Sequence, residues 1–245
     1  MKCKLLYLFL LTIVVITGHV SPAQALQPCR VNKIISPEGT EYKLQYDNTG
    51  HLQTITSPSE KYVDSFFYYK DSMVIITNIR DEPDCRTAYT FNKNGLLIHK
   101  KTEIYKHEGW IEDTDYEYKN TKLWRLKRKG RLPVEPLSSV TETTEIYTWQ
   151  NGNPVKIHHF INGRSYGSVR LRYYKNKPFR TGDFHSYVQI MVGVQILKPA
   201  NLLKSVACQE KLRVNYEFDG NGKIISMTEK EENDIRITKY EYDCN

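Results

Sequence analysis

From Tyr42 onward, aromatic and aliphatic residues alternate with polar ones, and short runs of Asp, Asn and Gly interrupt the alternation. Tyr42, Leu44 and Tyr46 fall on one face of an extended chain, and Glu41, Lys43 and Gln45 on the other. Asp47-Asn48-Thr49-Gly50 then supplies a reversal, because Asp and Asn bond their own backbone and Gly accepts positive φ. The same layout returns at Tyr89–Ile98, Tyr147–Ile157 and Tyr216–Ile225, with looser copies at Phe67–Val74, Tyr116–Trp124 and Tyr173–Phe179. Tyr, Phe, Trp, Val, Ile and Thr suit a half-buried pleated surface. Copies roughly 20–30 residues apart leave room for two strands each.

The pattern predicts an all-β fold, an antiparallel up-and-down meander of about 14–15 strands. A sheet that long curls to hide its edges, so a barrel or half-barrel is expected. One segment departs from it. Phe184, Tyr187, Val188, Met191 and Val194 follow helical spacing, and Pro199 stops the run, so a short helix near 184–198 is predicted across one barrel end. Val188, Ile190, Val192 and Val194 also fit period two, which leaves an irregular buried strand as the alternative.

The ends add an address. Lys2 and Lys4 precede an apolar run of 12 residues from Leu5 to Ile16, and Ser21-Pro22-Ala23-Gln24-Ala25 has the small-x-small form of a cleavage site. The run is shorter than the roughly 20 residues of a membrane helix. Residues 1–25 therefore read as a signal peptide cleaved after Ala25, and residues 26–245 as one exported domain, periplasmic or extracellular, without a transmembrane segment and monomeric. The leader holds two of the 35 Lys and Arg and none of the 28 Asp and Glu, which leaves the remainder at +5. So mild an excess does not point to nucleic acid, and fits weak attraction to anionic surfaces at most.

Export also frames the cysteines. Cys29, Cys85, Cys208 and Cys244 remain after the leader, none in a C-x-x-C pair, which favours structural disulfides over zinc or redox chemistry. Counting strand directions puts Cys29 and Cys244 at one end of the sheet and Cys85 and Cys208 at the other. The expected pairs are Cys29–Cys244 and Cys85–Cys208.

Candidate chemistry is sparse. Asp219-Gly220-Asn221-Gly222 resembles part of a calcium loop, but an EF-hand register would require a bidentate Glu where Thr228 stands. A hairpin turn is the better reading, and no metal or cofactor is expected. His158 and His159 are neighbours on a strand and point to opposite faces. The densest basic stretch places Arg125, Lys127 and Lys129 on one face, with Trp124 and Leu126 on the other. These three cations offer a contact for an anionic polymer, and Trp110, Trp124 and Trp149 could stack on sugar rings. The plainer account is a solvated outer face with Trp124 in the core.

The recurring Y-x-Y/F-D/N-x-x-G-x-L/I unit resembles YD repeats. The chain as a whole resembles a Bacteroidetes exported envelope family of unknown function with a porin-like fold. The resemblance rests on Tyr147-Thr-Trp-Gln-Asn-Gly-Asn-Pro-Val-Lys-Ile157, a Tyr-rich strand before Asn176-Lys177-Pro178, Ala200-Asn201-Leu202-Leu203, and the last hairpin with its closing Tyr-Glu-Tyr. It implies a barrel and an envelope location, and brings no catalytic residues. Many members look like lipoproteins, whereas Gln27-Pro28 before Cys29 departs from a lipobox. The expected function is a non-enzymatic binding or scaffold role at the envelope, with a glycan, a peptide or another envelope protein as partner. The alternative is a glycan hydrolase or lyase using carboxylates or tyrosines in the barrel mouth. A concave acid cluster would favour that enzyme.

Overall fold

The computed structural model describes residues 29–105, 109–131, 140–208, 211–232 and 234–244. The expected leader lies outside them. The strands are β1 (Arg30–Ile35), β2 (Glu41–Tyr46), β3 (Leu52–Ser57), β4 (Tyr62–Tyr68), β5 (Ser72–Ile79) and β6 (Glu82–Phe91). They continue as β7 (Leu97–Ile104), β8 (Trp110–Lys119), β9 (Lys122–Arg131), β10 (Thr141–Gln150) and β11 (Asn153–Ile161). After β12 (Arg164–Pro178) comes the helix α1 (Phe184–Met191), followed by β13 (Asn201–Ala207), β14 (Lys211–Phe218), β15 (Ile224–Glu231) and β16 (Asp234–Asp243). Each strand pairs with its sequence neighbours, and β1 pairs antiparallel with β16, so 16 strands form a closed barrel. The expected 14–15 fell short. A meander whose first and last strands also pair antiparallel closes on an even number.

Tight turns close hairpins at both ends of the barrel, and six of them lie at the end opposite Arg80-Asp81 and Asn162-Gly163. In three of them one geometry repeats. Asp47, Asn92 and Asp219 each accept two backbone amides on Oδ1, from residues two and four ahead, at 2.8–3.1 Å. Gly50, Gly95 and Gly222 complete these turns at φ of 92°, 72° and 77°. Each is flanked by a one-residue bulge. Asn120-Thr121 and Asn151-Gly152 make two-residue turns with positive φ throughout, the geometry whose twist matches that of the strands. The chain termini share this end, where an eighth reversal would stand, and the Cys29–Cys244 disulfide joins them there.

Inward residues pack the half of the lumen nearest the chain termini. Ile34, Ile55, Met73, Leu97, Leu123, Leu202, Leu203, Val214, Ile224 and Met227 are all but fully buried. The 183–197 segment folds against them: Phe184, Tyr187, Ile190 and Met191 pack on the core, and Ser186, Gln189 and Val194 are buried. The helix is shorter than predicted because Gly193, at φ 63°, turns the chain back, and its α-carbon faces the Phe66 ring too closely for a larger residue. Gln189 fixes this return. Its side chain donates to the carbonyls of His185 and Leu197 and accepts the amides of Ile196 and Leu197. The segment thus plugs the barrel.

The expected second disulfide, Cys85–Cys208, is not formed. Cys85 opens on β6 and Cys208 follows β13, and no disulfide joins them. Both sit at the rim away from the termini, as the direction count implied. Six strands separate them one way around the wall and eight the other, so they stand nearly opposite. A linear count of directions gives the end of the barrel but not the position around it.

Candidate functional site

Toward the open rim the inward face changes character. On β10 it runs from Trp149 and Tyr147 at the plugged end to Glu145 and Thr143 at the mouth. On β9 it runs from Leu123 and Leu126 to Arg128, and on β11 from Ile157 to His159 and Ile161. Cross-strand register sets these residues side by side, since Glu145 opposes both Leu126 and His159. A belt of alternating charge results. Lys100 Nζ lies 2.9 Å from Glu112 Oε1, which is 3.5 Å from Arg128 Nε. Farther round, Glu145 Oε1 lies 3.9 Å from His159 Nδ1, and Glu145 Oε2 accepts the Tyr147 hydroxyl at 2.5 Å. Burial, and the neighbouring Glu145 carboxylate after it, push the Tyr147 hydroxyl far up, so it remains a donor.

Arg128, Glu145 and His159 open onto a cavity of about 670 Å³, whose wall continues through Val169, Tyr166 and Cys208. Tyr166 stands at the rim with 77% of its surface exposed. The volume suits a small ligand. Glu145 is the single carboxylate on this wall among the described residues, and a glycosidase needs two that face each other across the bond. A second cavity, about 310 Å³, lies at the plugged end between Tyr46, His51, Tyr68 and the plug residues Gln189 and Val194.

Other buried polar groups serve the fold. Asp64 accepts hydrogen bonds from Tyr62 and, at 2.6 Å, from Thr77; burial holds its carboxyl above the usual range. Asp183 precedes α1 and accepts the amides of His185 and Leu203 and the Tyr216 hydroxyl at 2.8–3.2 Å. Burial also raises its carboxyl and lowers the His185 imidazole, which meets Tyr173 Oη at 3.1 Å.

The residues singled out in the sequence do not converge. Trp110 lies inward near the open rim against Gly130. Trp149 packs on the core and donates to the Leu123 carbonyl at 2.6 Å. Trp124 is the extra residue of a bulge between β8 and β9, which removes it from the inward face where alternation had placed it. Its ring lies under Lys119 Nζ, 3.8 Å away, and 5.0 Å from the Arg125 guanidinium. Arg125, Lys127 and Lys129 do share the outer face, but each meets a carboxylate. Arg125 Nε donates to Glu117 at 2.8 Å, and Lys127 and Lys129 face Glu142 at 3.1 and 3.8 Å. The mouth residues were overlooked, although one signal was legible. If Arg125, Lys127 and Lys129 face out, then Arg128 shares the inward face with Leu126.

Against known proteins, no family model and no curated protein matches the chain. Solved structures do. A porin-like protein from Bacteroides vulgatus superposes with a TM-score of 0.64 at 13% identity, over 87% of this chain and 98% of that one. A porin-like protein from Bacteroides uniformis gives 0.57 at 14% identity, over 88% and 95%. At such identities the likeness is one of fold, a porin-like barrel.

Proposed function

We propose that this protein is an exported, non-enzymatic envelope barrel that receives a small ligand, part of a glycan or a peptide, in its open mouth. The observation that carries this reading is the asymmetry of the lumen: a plug and apolar core at one end, and at the other a cavity of about 670 Å³ walled by Arg128, Glu145, His159 and Tyr166. The porin-like neighbours and the Cys29–Cys244 disulfide support an envelope or exported setting. The outer wall argues for an aqueous environment. Lys33–Glu241, His99–Asp115, Arg125–Glu117 and Lys127–Glu142 all face outward. Placing such a Lys or Arg at the bilayer midplane costs about 2–4 kcal/mol. The outer basic stripe with Trp124 is a secondary contact for anionic polymers, weakened by its own ion pairs.

The test is a glycan and peptide array with purified residues 26–245, then incubation of each hit. Binding that is lost when Tyr166 and His159 are replaced by Ala, with the hit recovered unchanged, is the expected result. Absence of binding across the array would sink the mouth reading, and product formation would sink the non-enzymatic one.

A further inference from the structure

Within the mouth, the positive and negative groups are not equally satisfied. Glu145 already has the Tyr147 hydroxyl at 2.5 Å and His159 Nδ1 at 3.9 Å. Arg128 is less well matched. Its Nε is buried without a hydrogen-bond partner. Among the described residues, the carboxylate within ion-pair range is Glu112, at 3.5 Å, and that same oxygen holds Lys100 Nζ at 2.9 Å. Thr114 opposes Arg128 across β8 and β9, is 0% exposed, and its Oγ1 also lacks a partner. Two adjacent inward positions therefore hold unused hydrogen-bonding capacity, and one is a guanidinium on the cavity wall.

A guanidinium offers five N–H donors in a planar fork that fits a carboxylate with two parallel bonds. Thr143 opposes Arg128 across β9 and β10, and Ile161, Tyr166 and Val169 give the same cavity wall an apolar surface that a ligand body can cover. We propose that the mouth takes a small organic carboxylate, its acid group on Arg128 and its apolar or planar body against Tyr166, Ile161 and Val169. This deepens the mouth-binding reading and rests on it. Two sources share the chemistry: the C-terminus of a peptide with an apolar last residue, and a uronic acid at a glycan end.

Calorimetric titration of residues 26–245 with matched probes tests it. N-acetyl-phenylalanine and its amide represent the peptide source, and a glucuronate-ended disaccharide and its neutral glucose counterpart the glycan source. One acid is expected to bind at least tenfold more tightly than its uncharged partner, with affinity falling as salt rises. Arg128→Gln should lose about tenfold to a hundredfold of that affinity, the range for a charged hydrogen bond. Arg128→Lys should retain part of it and guards against a folding defect in the Gln variant, and Lys33→Gln, on the outer wall away from the mouth, should not weaken binding. Equal binding of acid and neutral partner, or acid binding untouched in Arg128→Gln and Arg128→Lys, overturns the carboxylate assignment. If array hits then still require Tyr166 and His159, the mouth reading survives that result; if no probe or array hit binds, both fall.

Discussion

Asp183 shows what a single residue contributes here. It is fully buried, starts α1, and ties that helix to β13 through Leu203 and to β14 through Tyr216. Asp183→Ala leaves buried donors unmet and should cost about 2–4 kcal/mol, read by urea denaturation. Its neighbour His185 sets a pH signature. Burial lowers its pKa below 6.5, so the folded state binds fewer protons than the unfolded one. Its contribution is complete above pH 6.5 and is lost as pH falls through the lowered value. Asp183 acts in the opposite sense: its raised carboxyl contributes fully below about pH 3.8, and that contribution is lost as pH climbs through the raised value. Wild-type stability should therefore decline below pH 6.5 by an amount that His185→Gln removes, measured as denaturation midpoints from pH 7 to 5.

At the scale of elements, hairpins are local and their faces are not. The Asp47, Asn92 and Asp219 turns are written in four or five residues, and their shared hydrogen bonds follow from those residues alone. A bulge, by contrast, depends on the partner strand. One such bulge moved Trp124 outward. Cross-strand fit also explains Gly130 on β9. A Cβ there would come within 2.2 Å of Trp110 Cζ2, so the glycine makes room for the indole on β8. Gly130→Val should displace that ring and cost about 1–3 kcal/mol. Red-shifted tryptophan emission in a Trp124→Phe, Trp149→Phe background would report it, and unchanged emission would refute the packing.

At the scale of the molecule, closure is the decisive event. The β1–β16 seam removes both free edges, and Cys29–Cys244 pins it across 215 residues of chain. Loop-closure entropy for so long a loop is worth about 5 kcal/mol at most. Cys29→Ser should lower the melting temperature by several degrees, and reductant should then have no further effect. Peptide mapping without reduction should recover the Cys29–Cys244 pair and no Cys85–Cys208 pair. Because the exterior is ion-paired and the plug fills one end of the lumen, the protein should conduct no ions when added to planar bilayers.

The sequence by itself determined the class of fold, six of the seven expected turns of the meander, the departure at 184–198 and the end of the barrel where each cysteine falls. These depend on period-two alternation and on turn residues, which act over a few positions. The seventh expected turn, within Tyr173–Phe179, lies inside β12, where a bulge stands in place of a reversal. Tertiary structure decided the rest: 16 strands in place of 14–15, a plug that enters the lumen, Cys85 and Cys208 on opposite walls, and the charged mouth. The turn at Asp219 could be read locally because its carboxylate serves its own backbone. Arg128, Glu145 and His159 come from β9, β10 and β11, and only the register of three neighbouring strands brings them to one cavity.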